Sequence, residues 1–277
     1  MNGEPINSDS PTLSQAALKV AREAAIKAGE AIKRIRLEHA ERIVEKSDGS
    51  HLTAGDLAAQ EIVIAAIKTE FPAHAILSEE MTKEEQASAR DSVELWVIDP
   101  IDGTTNYAYG SRQVGISIGF AREGKVIAGV VYNPFNDELF SAARGFGAAL
   151  NGAPITIGTR AVDGMSDALI GTGFPSLSNG REAEVRRIGN VLRQCRDVRR
   201  AGACSLDLCD VACGRLDAYY ESVQPWDMAA GGLIAREAGA RVLNFETGAD
   251  TELDGVTLLC ARPDIVQQLN EILLRRS

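Results

Sequence analysis

Long apolar runs, paired cysteines and an excess of basic residues are all missing from this sequence. No apolar run is long enough to span a bilayer, and residues 1–12 are polar and contain prolines, so we expect a flexible tail and not a signal peptide. Lys and Arg number 29 against 39 Asp and Glu, and this net charge of −10 argues against nucleic acid or anionic lipid as a partner. We therefore expect a cytoplasmic protein with no membrane or nucleic-acid partner.

The five cysteines show no pattern of pairing. Cys195, Cys204, Cys209 and Cys213 have no neighbouring His and no repeated C-x-x-C pair, so neither a disulfide framework nor a zinc site is indicated. Reduced thiols of a cytosolic protein are expected. With 277 residues, of which 45% are hydrophobic, the chain can build one large domain or two smaller ones that share a cleft.

Apolar periodicity predicts helices and an antiparallel sheet in the first part of the chain. One helix is predicted from Leu13 to about Glu38, and another follows the capping-box spacing of Thr53 and Asp56 and ends before Pro72. Short strands are predicted at 75–80 and 95–98, hairpin strands at 114–121, 126–132 and 137–142, and a loop or short helix at 81–91. We assign residues 13–158 to an N-terminal α+β subdomain.

Strands and helices alternate in the remainder of the chain. Strands are predicted at 168–171, 198, 218–221 and 257–260, and helices at 184–195, 205–213 and 226–237. A final helix is predicted with Pro263 in its first turn. We assign residues 159–277 to a C-terminal α/β subdomain.

The stretch from Asp99 to Thr105 has the composition of a site. An apolar strand ends in two carboxylates, Asp99 and Asp102, and like charges so close at a buried strand end raise each other's pKa and resist dehydration. A divalent cation would remove that cost. Gly103 allows the backbone to approach a ligand, and a helix that opens at Thr104 would offer its N–H groups to a phosphate.

Four further acids lie at predicted strand ends or helix starts, namely Glu79, Asp227, Asp56 and Glu221. Oxygen ligands without His or Cys select Mg²⁺ or Mn²⁺ over zinc. Taken singly, each acid also has a structural interpretation as a helix cap, a loop residue or a strand end.

A rival motif differs from this one in its spacing. Phosphatases of the haloacid dehalogenase class carry D-x-D-G-T, in which the first acid becomes an aspartyl phosphate. Here the pattern is D-x-x-D-G-T, and the extra residue with Pro100 disfavours Asp99 as a covalent nucleophile.

Together these motifs resemble the inositol monophosphatase family over nearly the whole chain. Val97–Asn106 matches the family's D-P-I-D-G-T-[TS]-N motif with the apolar residues before it, and Trp226–Gly231 matches W-D-x-A-[AG]-G. Leu52–Asp56 aligns with the family's V-T-x-x-D motif, and Ser78-Glu79-Glu80 aligns with its usual G-E-E. Arg200–Ser205 aligns with a segment of the family that usually reads R-x-G-[ST]-A-[AS]. Here Ala203 replaces a residue with a hydroxyl group, and Cys204 replaces an alanine.

The resemblance implies a role for each matched residue. The metal ligands would be Glu79, Asp99, Asp102, Asp227 and the carbonyl of Ile101. Thr104, Asp56 and Glu79 would form the catalytic set, in which Asp56 and Thr104 activate the attacking water. The substrate would contact Gly103, Thr104, Asp102, Asp227, Ala203, Cys204 and Glu221, with Lys46 as an additional candidate near the site.

The resemblance also implies a fold and a cofactor. The expected architecture is an α/β (α+β) protein with αβαβα layers, a largely antiparallel N-terminal sheet and a smaller mixed C-terminal sheet. Two or three Mg²⁺ ions per site are implied, with Mn²⁺ as a substitute and Li⁺ as an inhibitor. A homodimer is implied as well.

The implied activity is hydrolysis of myo-inositol monophosphate by metal-activated water. Histidinol phosphate, fructose 1,6-bisphosphate and 3′-phosphoadenosine 5′-phosphate remain alternatives, because relatives share the metal site and differ in the pocket wall. An alternative of another class is a regulatory or binding protein that retains the fold.

Overall fold

The computed structural model describes residues 10–38, 44–45, 51–158, 160–174, 181–255 and 257–275. The helices are α1 (Ser10–Leu37), α2 (Ala54–Glu70), α3 (Lys83–Ala89), α4 (Thr104–Ala108), α5 (Arg181–Leu192), α6 (Cys204–Ala212), α7 (Pro225–Glu237) and α8 (Val266–Leu273). The strands of the first half are β1 (Val44–Glu45), β2 (His51–Leu52), β3 (Ala75–Ser78), β4 (Glu94–Asp102), β5 (Gly115–Arg122), β6 (Lys125–Asn133), β7 (Glu138–Ala143), β8 (Ala148–Leu150) and β9 (Ala153–Ile155). Those of the second half are β10 (Leu169–Thr172), β11 (Asp197–Arg199), β12 (Ala218–Ser222), β13 (Arg241–Asn244) and β14 (Thr257–Ala261).

A seven-stranded sheet in the order β3-β4-β5-β6-β7-β8-β9 is the largest element of the fold. Only the β3–β4 pair is parallel, and the other neighbours are antiparallel, as expected for strands joined by short turns. Asn151 and Gly152 turn β8 into β9 with φ angles of +50° and +82°. The largely antiparallel N-terminal sheet is therefore confirmed.

Helices α1 and α2 pack on one face of this sheet. The capping box at the start of α2 is formed: the Thr53 side chain accepts hydrogen bonds from Gly55 N and Asp56 N, and Asp56 Oδ2 accepts from Thr53 N at 2.7 Å. The apolar stripe of α1, which includes Ala17, Ala24 and Ala28, is buried in the same core cluster as sheet residues. Small residues on that stripe let the helix approach the sheet closely.

Helices α6 and α7 form the middle layer between the two sheets. Helix α7 contacts β4, β5, β6 and β7 on one side and β13 on the other, and α6 contacts β12 and β14. The approach to the large sheet is close, because a Cβ at Gly129 would lie 3.0 Å from both Cα and the carbonyl oxygen of Ala230. This central layer fixes the position of Asp227 relative to β4.

The second sheet has five strands in the order β11-β10-β12-β14-β13. Strand β10 runs parallel to both of its neighbours, whereas β14 runs antiparallel to β12 and β13. Helices α5 and α8 cover its outer face around a third core cluster. The layer order is α1 and α2, large sheet, α6 and α7, small sheet, α5 and α8, which confirms the αβαβα architecture.

Several predicted element bounds need correction. The final helix begins at Val266 and not around Pro263, which lies in a turn before it. Strand β4 continues through Pro100 to Asp102 instead of ending at Ile98, because Pro100 falls in a β-bulge where no ladder N–H is needed. Strands β8, β9 and β13 were not predicted from the sequence pattern. The segment 81–91, predicted as a loop or short helix, contains α3.

In the described part of the chain, no helix is both long and apolar enough to cross a membrane.

Candidate active site

The carboxyl end of β4 carries two buried carboxylates. Asp99 is 2% and Asp102 6% exposed. Asp99 pairs with Ser117 and Asp102 with Gly115, so β4 has one residue more than β5 between these pairs. On a regular strand, two side chains that are three positions apart lie on opposite faces of the sheet. The bulge resets that alternation. The two acids therefore act on each other: burial raises the pKa of Asp99 most, and the charges of Glu79 and then Asp102 raise it further.

Asp56 and Thr104 meet across the first turns of α2 and α4. Thr104 Oγ1 donates to Asp56 Oδ1 at 3.2 Å and also lies 3.1 Å from the carbonyl oxygen of Ile101. Because a hydroxyl has one proton, it serves these acceptors in turn. Burial raises the pKa of Asp56 to about 6, although hydrogen bonds from Thr53 oppose the shift.

Gly103 allows the chain to turn from β4 into α4. Its φ angle of +89° lies in the left-handed region, which favours glycine. A Cβ there would also lie 3.0 Å from the carbonyl oxygen of Gln113 and 3.1 Å from that of Gly202. Asn106 Nδ2 donates to the same two oxygens, at 2.8 Å to Gln113 O and 3.2 Å to Gly202 O, and also to Ala201 O at 2.9 Å. The loop that precedes α6 is thereby held against α4.

Asp102 joins the large sheet to the start of α6. Its Oδ1 accepts from Cys204 N at 3.1 Å, and its Oδ2 accepts from Ser205 N at 2.7 Å and from the Ser205 hydroxyl. Burial raises the pKa of Asp102, and the hydrogen bonds from Ser205 and Cys204 oppose that shift. The carboxylate therefore satisfies N–H groups at the N-terminus of α6.

Asp227 and Glu79 approach from two other elements. Asp227 is the third residue of α7, and its Oδ2 accepts from Gln224 N at 2.7 Å in a capping box. Glu79 follows β3, and its N–H donates to the carbonyl oxygen of Ile98 at 3.2 Å, which extends the pairing with β4. Burial, and then the charge of Asp102, raises the pKa of Asp227 well above its usual range.

Glu221 lies in β12 of the small sheet and receives a hydrogen bond from the Tyr219 hydroxyl. A Cβ at Gly173, just after β10, would overlap the Glu221 carboxylate. Burial raises the pKa of Glu221 to about 7. Gly173 thus provides the space in which this carboxylate rests.

Burial is the main reason why the pKa of Asp99 lies well above its usual range, and Glu79, Asp102, Asp227 and Asp56 raise it further, in that order. No ion pair links Asp99, Asp102 or Asp227 to a Lys or Arg within the described ranges. Within the described residues, no three His, Cys, Asp or Glu side chains converge closely enough to hold a metal ion. Asp102 and Asp227 instead direct oxygens to protein N–H groups.

A profile of the inositol monophosphatase family matches residues 14–275. The chain belongs to the inositol monophosphatase family.

Relatives of known name agree with this assignment. Nus factor SuhB of Vibrio cholerae is 40% identical over 237 residues, which cover 84% of this chain and 86% of that protein. Inositol-1-monophosphatase of Rhizobium meliloti is 35% identical over 232 residues, which cover 83% and 85%. The crystal structure of the extragenic suppressor protein suhB of Bartonella henselae superposes with a TM-score of 0.87 at 33% identity, over 95% of this chain and all of that one. The fold and the phosphatase class follow from this membership.

The structure brings most of the family's predicted site residues to one region. Asp102 links Ala203 and Cys204, at the start of α6, to the strand end that carries Asp99, Ile101, Gly103 and Thr104. Burial raises the pKa of the Cys204 thiol well above its usual range, so the thiol stays protonated. Lys46 lies outside the described residues.

Sequence reasoning missed three residues at this site. Tyr219 lies two positions before Glu221 in the same strand, and this spacing alone places both side chains on one face. Ser205 binds Asp102, but a serine at a helix start is common and carries no specific signal. Gly173 is adjacent to Glu221 only in the folded sheet, so no sequence spacing indicates it.

The donor set fits a hard divalent cation. The carboxylates of Glu79, Asp99, Asp102 and Asp227 and the Ile101 carbonyl are all oxygen donors. Burial, and after it the charges of the other carboxylates, raises the pKa of Asp99. A divalent cation would remove this repulsion after the side chains of Asp102 and Asp227 turn from their N–H partners. The residues present are therefore compatible with Mg²⁺ or Mn²⁺.

The charge cluster predicts that metal-free protein loses stability as pH rises. Because the pKa of Asp99 is raised on folding, the native state binds more protons than the unfolded state above the unfolded pKa, and stability falls as pH increases through that window. Asp99→Asn removes an ionisation that opposes folding. In chelator at pH 7.5 its Tm should exceed that of the wild type by several degrees, with a smaller difference at pH 5.

Asp217→Asn is the contrasting variant for these thermal unfolding measurements. Asp217 is also buried, but it pairs with Arg160 and Arg262, so its neutralisation should lower the Tm. Equal Tm values for the wild type and Asp99→Asn at pH 7.5 would contradict the proposed repulsion.

Proposed function

We propose that this chain is a Mg²⁺-dependent phosphomonoesterase that hydrolyses myo-inositol monophosphate to inositol and phosphate. The observation that carries the proposal is the hydrogen bond from Thr104 to Asp56, 3.2 Å long, beside the buried acids of β4. Hydrolysis by an activated water needs a proton acceptor next to a site that tolerates the charge of a phosphate. The family assignment supplies the phosphatase class, and this geometry supports the division of roles.

In the proposed site Glu79, Asp99, Asp102, Asp227 and the Ile101 carbonyl hold two or three Mg²⁺ ions. When bound, Mg²⁺ would lower the pKa of a water molecule and place positive charge next to the phosphoryl and leaving-group oxygens. Mn²⁺ would serve the same oxygen ligands, and Li⁺ inhibition follows from the family resemblance. Glu79 belongs to both the ligand set and the catalytic set.

Asp56 and Thr104 move the proton. The Thr104 hydroxyl donates to Asp56 Oδ1, so its oxygen lone pairs are free to accept a proton from the attacking water while its own proton passes to the carboxylate. With a pKa of about 6, Asp56 is mainly ionised at neutral pH and is able to accept that proton. The N–H groups of Gly103 and Thr104 are assigned to the phosphate oxygens.

Glu221 is assigned to the alcohol part of the substrate. Its carboxylate is an acceptor for polyol hydroxyls, and the Tyr219 hydroxyl fixes its orientation. Ala203 and Cys204 contribute small side chains to this wall next to Asp102. A buried acid at this position suits a polyol better than a second phosphate, which favours inositol monophosphate over the bisphosphates.

A second candidate function rests on the relatives. The Vibrio cholerae protein that is 40% identical carries the name Nus factor SuhB. A binding role in transcription is therefore the alternative from another class, with or without hydrolysis. The homodimer implied by the family stays a prediction.

Phosphate release from four compounds tests the proposal directly. The wild type should hydrolyse inositol 1-phosphate faster than histidinol phosphate, fructose 1,6-bisphosphate or 3′-phosphoadenosine 5′-phosphate. Excess chelator should abolish release and added Mg²⁺ should restore it, because the proposed chemistry needs the cation. Asp99→Asn should lose activity by on the order of a hundredfold or more.

The matched control is Asp207→Asn. Asp207 is 2% exposed and lies on α6 outside the proposed ligand set, so the variant should keep most of the activity. Release that persists undiminished in chelator would contradict the proposed metal dependence. No turnover of any of the four compounds would favour the binding function.

Gly173→Ala should change substrate binding more than folding. The new methyl group overlaps the Glu221 carboxylate, which can rotate away at the end of its side chain, so the Tm should change little. The displaced carboxylate can no longer meet the substrate hydroxyls, and KM for inositol 1-phosphate should rise on the order of tenfold. Steady-state kinetics and thermal unfolding measurements provide the check. An unchanged KM would contradict the assignment of Glu221 to the substrate site.

A further inference from the structure

Tyr107 is anchored to α1 by two contacts. It belongs to α4, is fully buried, and its hydroxyl donates to the Ile32 carbonyl oxygen at 2.8 Å. The Arg36 guanidinium lies 4.5 Å from the centre of the Tyr107 ring and 3.8 Å from that of Phe135. The ring of Tyr107 is therefore fixed in position and cannot swing aside cheaply.

The edge of this ring lies directly against Gly55 in the first turn of α2. A Cβ at Gly55 would lie 2.7 Å from Cε1, 2.8 Å from Cζ and 2.8 Å from Oη of Tyr107. Such distances are far below a van der Waals contact, so only glycine fits. The residue that follows Gly55 is Asp56, and Tyr107 lies one helical turn after Thr104.

Space, and not backbone conformation, explains glycine at this position. Gly55 lies within α2 and its φ is not in the left-handed region, unlike that of Gly103. Glycine is less favourable than alanine in a helix, because its backbone loses more conformational freedom on folding. The chain thus carries an unfavourable helix residue where the ring of Tyr107 would exclude any other.

We infer that Gly55 and Tyr107 are positioning residues for the proton-transfer pair. Their contact sets the separation between the first turns of α2 and α4, and with it the 3.2 Å contact between Asp56 Oδ1 and Thr104 Oγ1. Neither residue touches substrate. The inference rests on the proposed function, since Asp56 and Thr104 have their roles in that proposal.

The test is Gly55→Ala with phosphate release from inositol 1-phosphate. The methyl group pushes the first turn of α2 away from α4, so kcat should fall on the order of tenfold or more while KM stays near the wild-type value. If Gly55 had a purely structural role, alanine would stabilise the helix through its higher helix propensity and would leave Asp56 in place. In that case kcat would not fall while KM stays unchanged.

Gly189→Ala is the matched control. Gly189 also lies in a helix, α5, but the nearest atom to a Cβ there is Arg193 Nη1 at 3.6 Å, an ordinary contact. This variant should have wild-type kcat and KM. Wild-type kcat for Gly55→Ala as well would overturn the inference.

Rescue adds a second readout. Tyr107→Leu removes the ring atoms that the methyl group meets, so the double variant Gly55→Ala, Tyr107→Leu should recover much of the kcat that Gly55→Ala loses. No recovery in a folded double variant would also overturn the inference. If Gly55→Ala is unfolded at the assay temperature, Tyr107→Leu alone decides: it should lower kcat at unchanged KM, and an unchanged kcat would contradict us.

Failure of the inference is distinguishable from failure of the proposed function. The wild type and Asp56→Asn are assayed beside these variants. A wild type without phosphatase activity would remove the proposed function itself, whereas an Asp56→Asn variant with full kcat would remove the proton-transfer role proposed for Asp56 and Thr104. An active wild type with an impaired Asp56→Asn and a normal Gly55→Ala would remove only the positioning role.

Discussion

Negative charge that is buried at the end of β4 is the constraint on which the rest of the structure depends. Asp99 and Asp102 are nearly closed to water, and burial together with Glu79, Asp102 and Asp227 keeps the pKa of Asp99 well above its usual range. Like charges in such a volume oppose folding unless a bound group offsets them. The hydrogen bonds that α6 gives to Asp102 offset part of this cost, and a divalent cation would offset the remainder.

Four of the five layers each supply one part of the candidate site. Asp56 comes from α2 on the outer face, Asp99 from the large sheet, Asp227 from α7 in the middle layer and Glu221 from the small sheet. Their relative positions therefore depend on how closely the layers pack. Close contacts at glycines, such as Gly129 against Ala230, set that packing without adding a functional group. The geometry of the proposed site thus depends on the interfaces between layers.

Local features were predictable from the sequence, and contacts between distant segments were not. The capping box at Thr53 and the helix after Gly103 follow from neighbouring residues, and the family motifs indicated the acids whose charges act on Asp99. The bulge at Pro100 and strand β13 depend on partner strands, so periodicity alone did not predict them. The contact between Gly55 and Tyr107 joins different helices and has no sequence signature. Lys46 lies outside the described residues and stays a prediction.

Calorimetric titration of the metal-free protein with Mg²⁺ at pH 7.5 tests the central claim most directly, because it measures the cation that the buried charge requires. Saturable binding to the wild type is expected, with an affinity at least about tenfold lower in Asp99→Asn because one ligand charge is lost. Asp207→Asn replaces a buried acid outside the ligand set that is already mainly uncharged at pH 7.5, because burial raises its pKa to about 9, and it should bind as the wild type does. No binding to the wild type, or equal affinity in Asp99→Asn, would contradict the account.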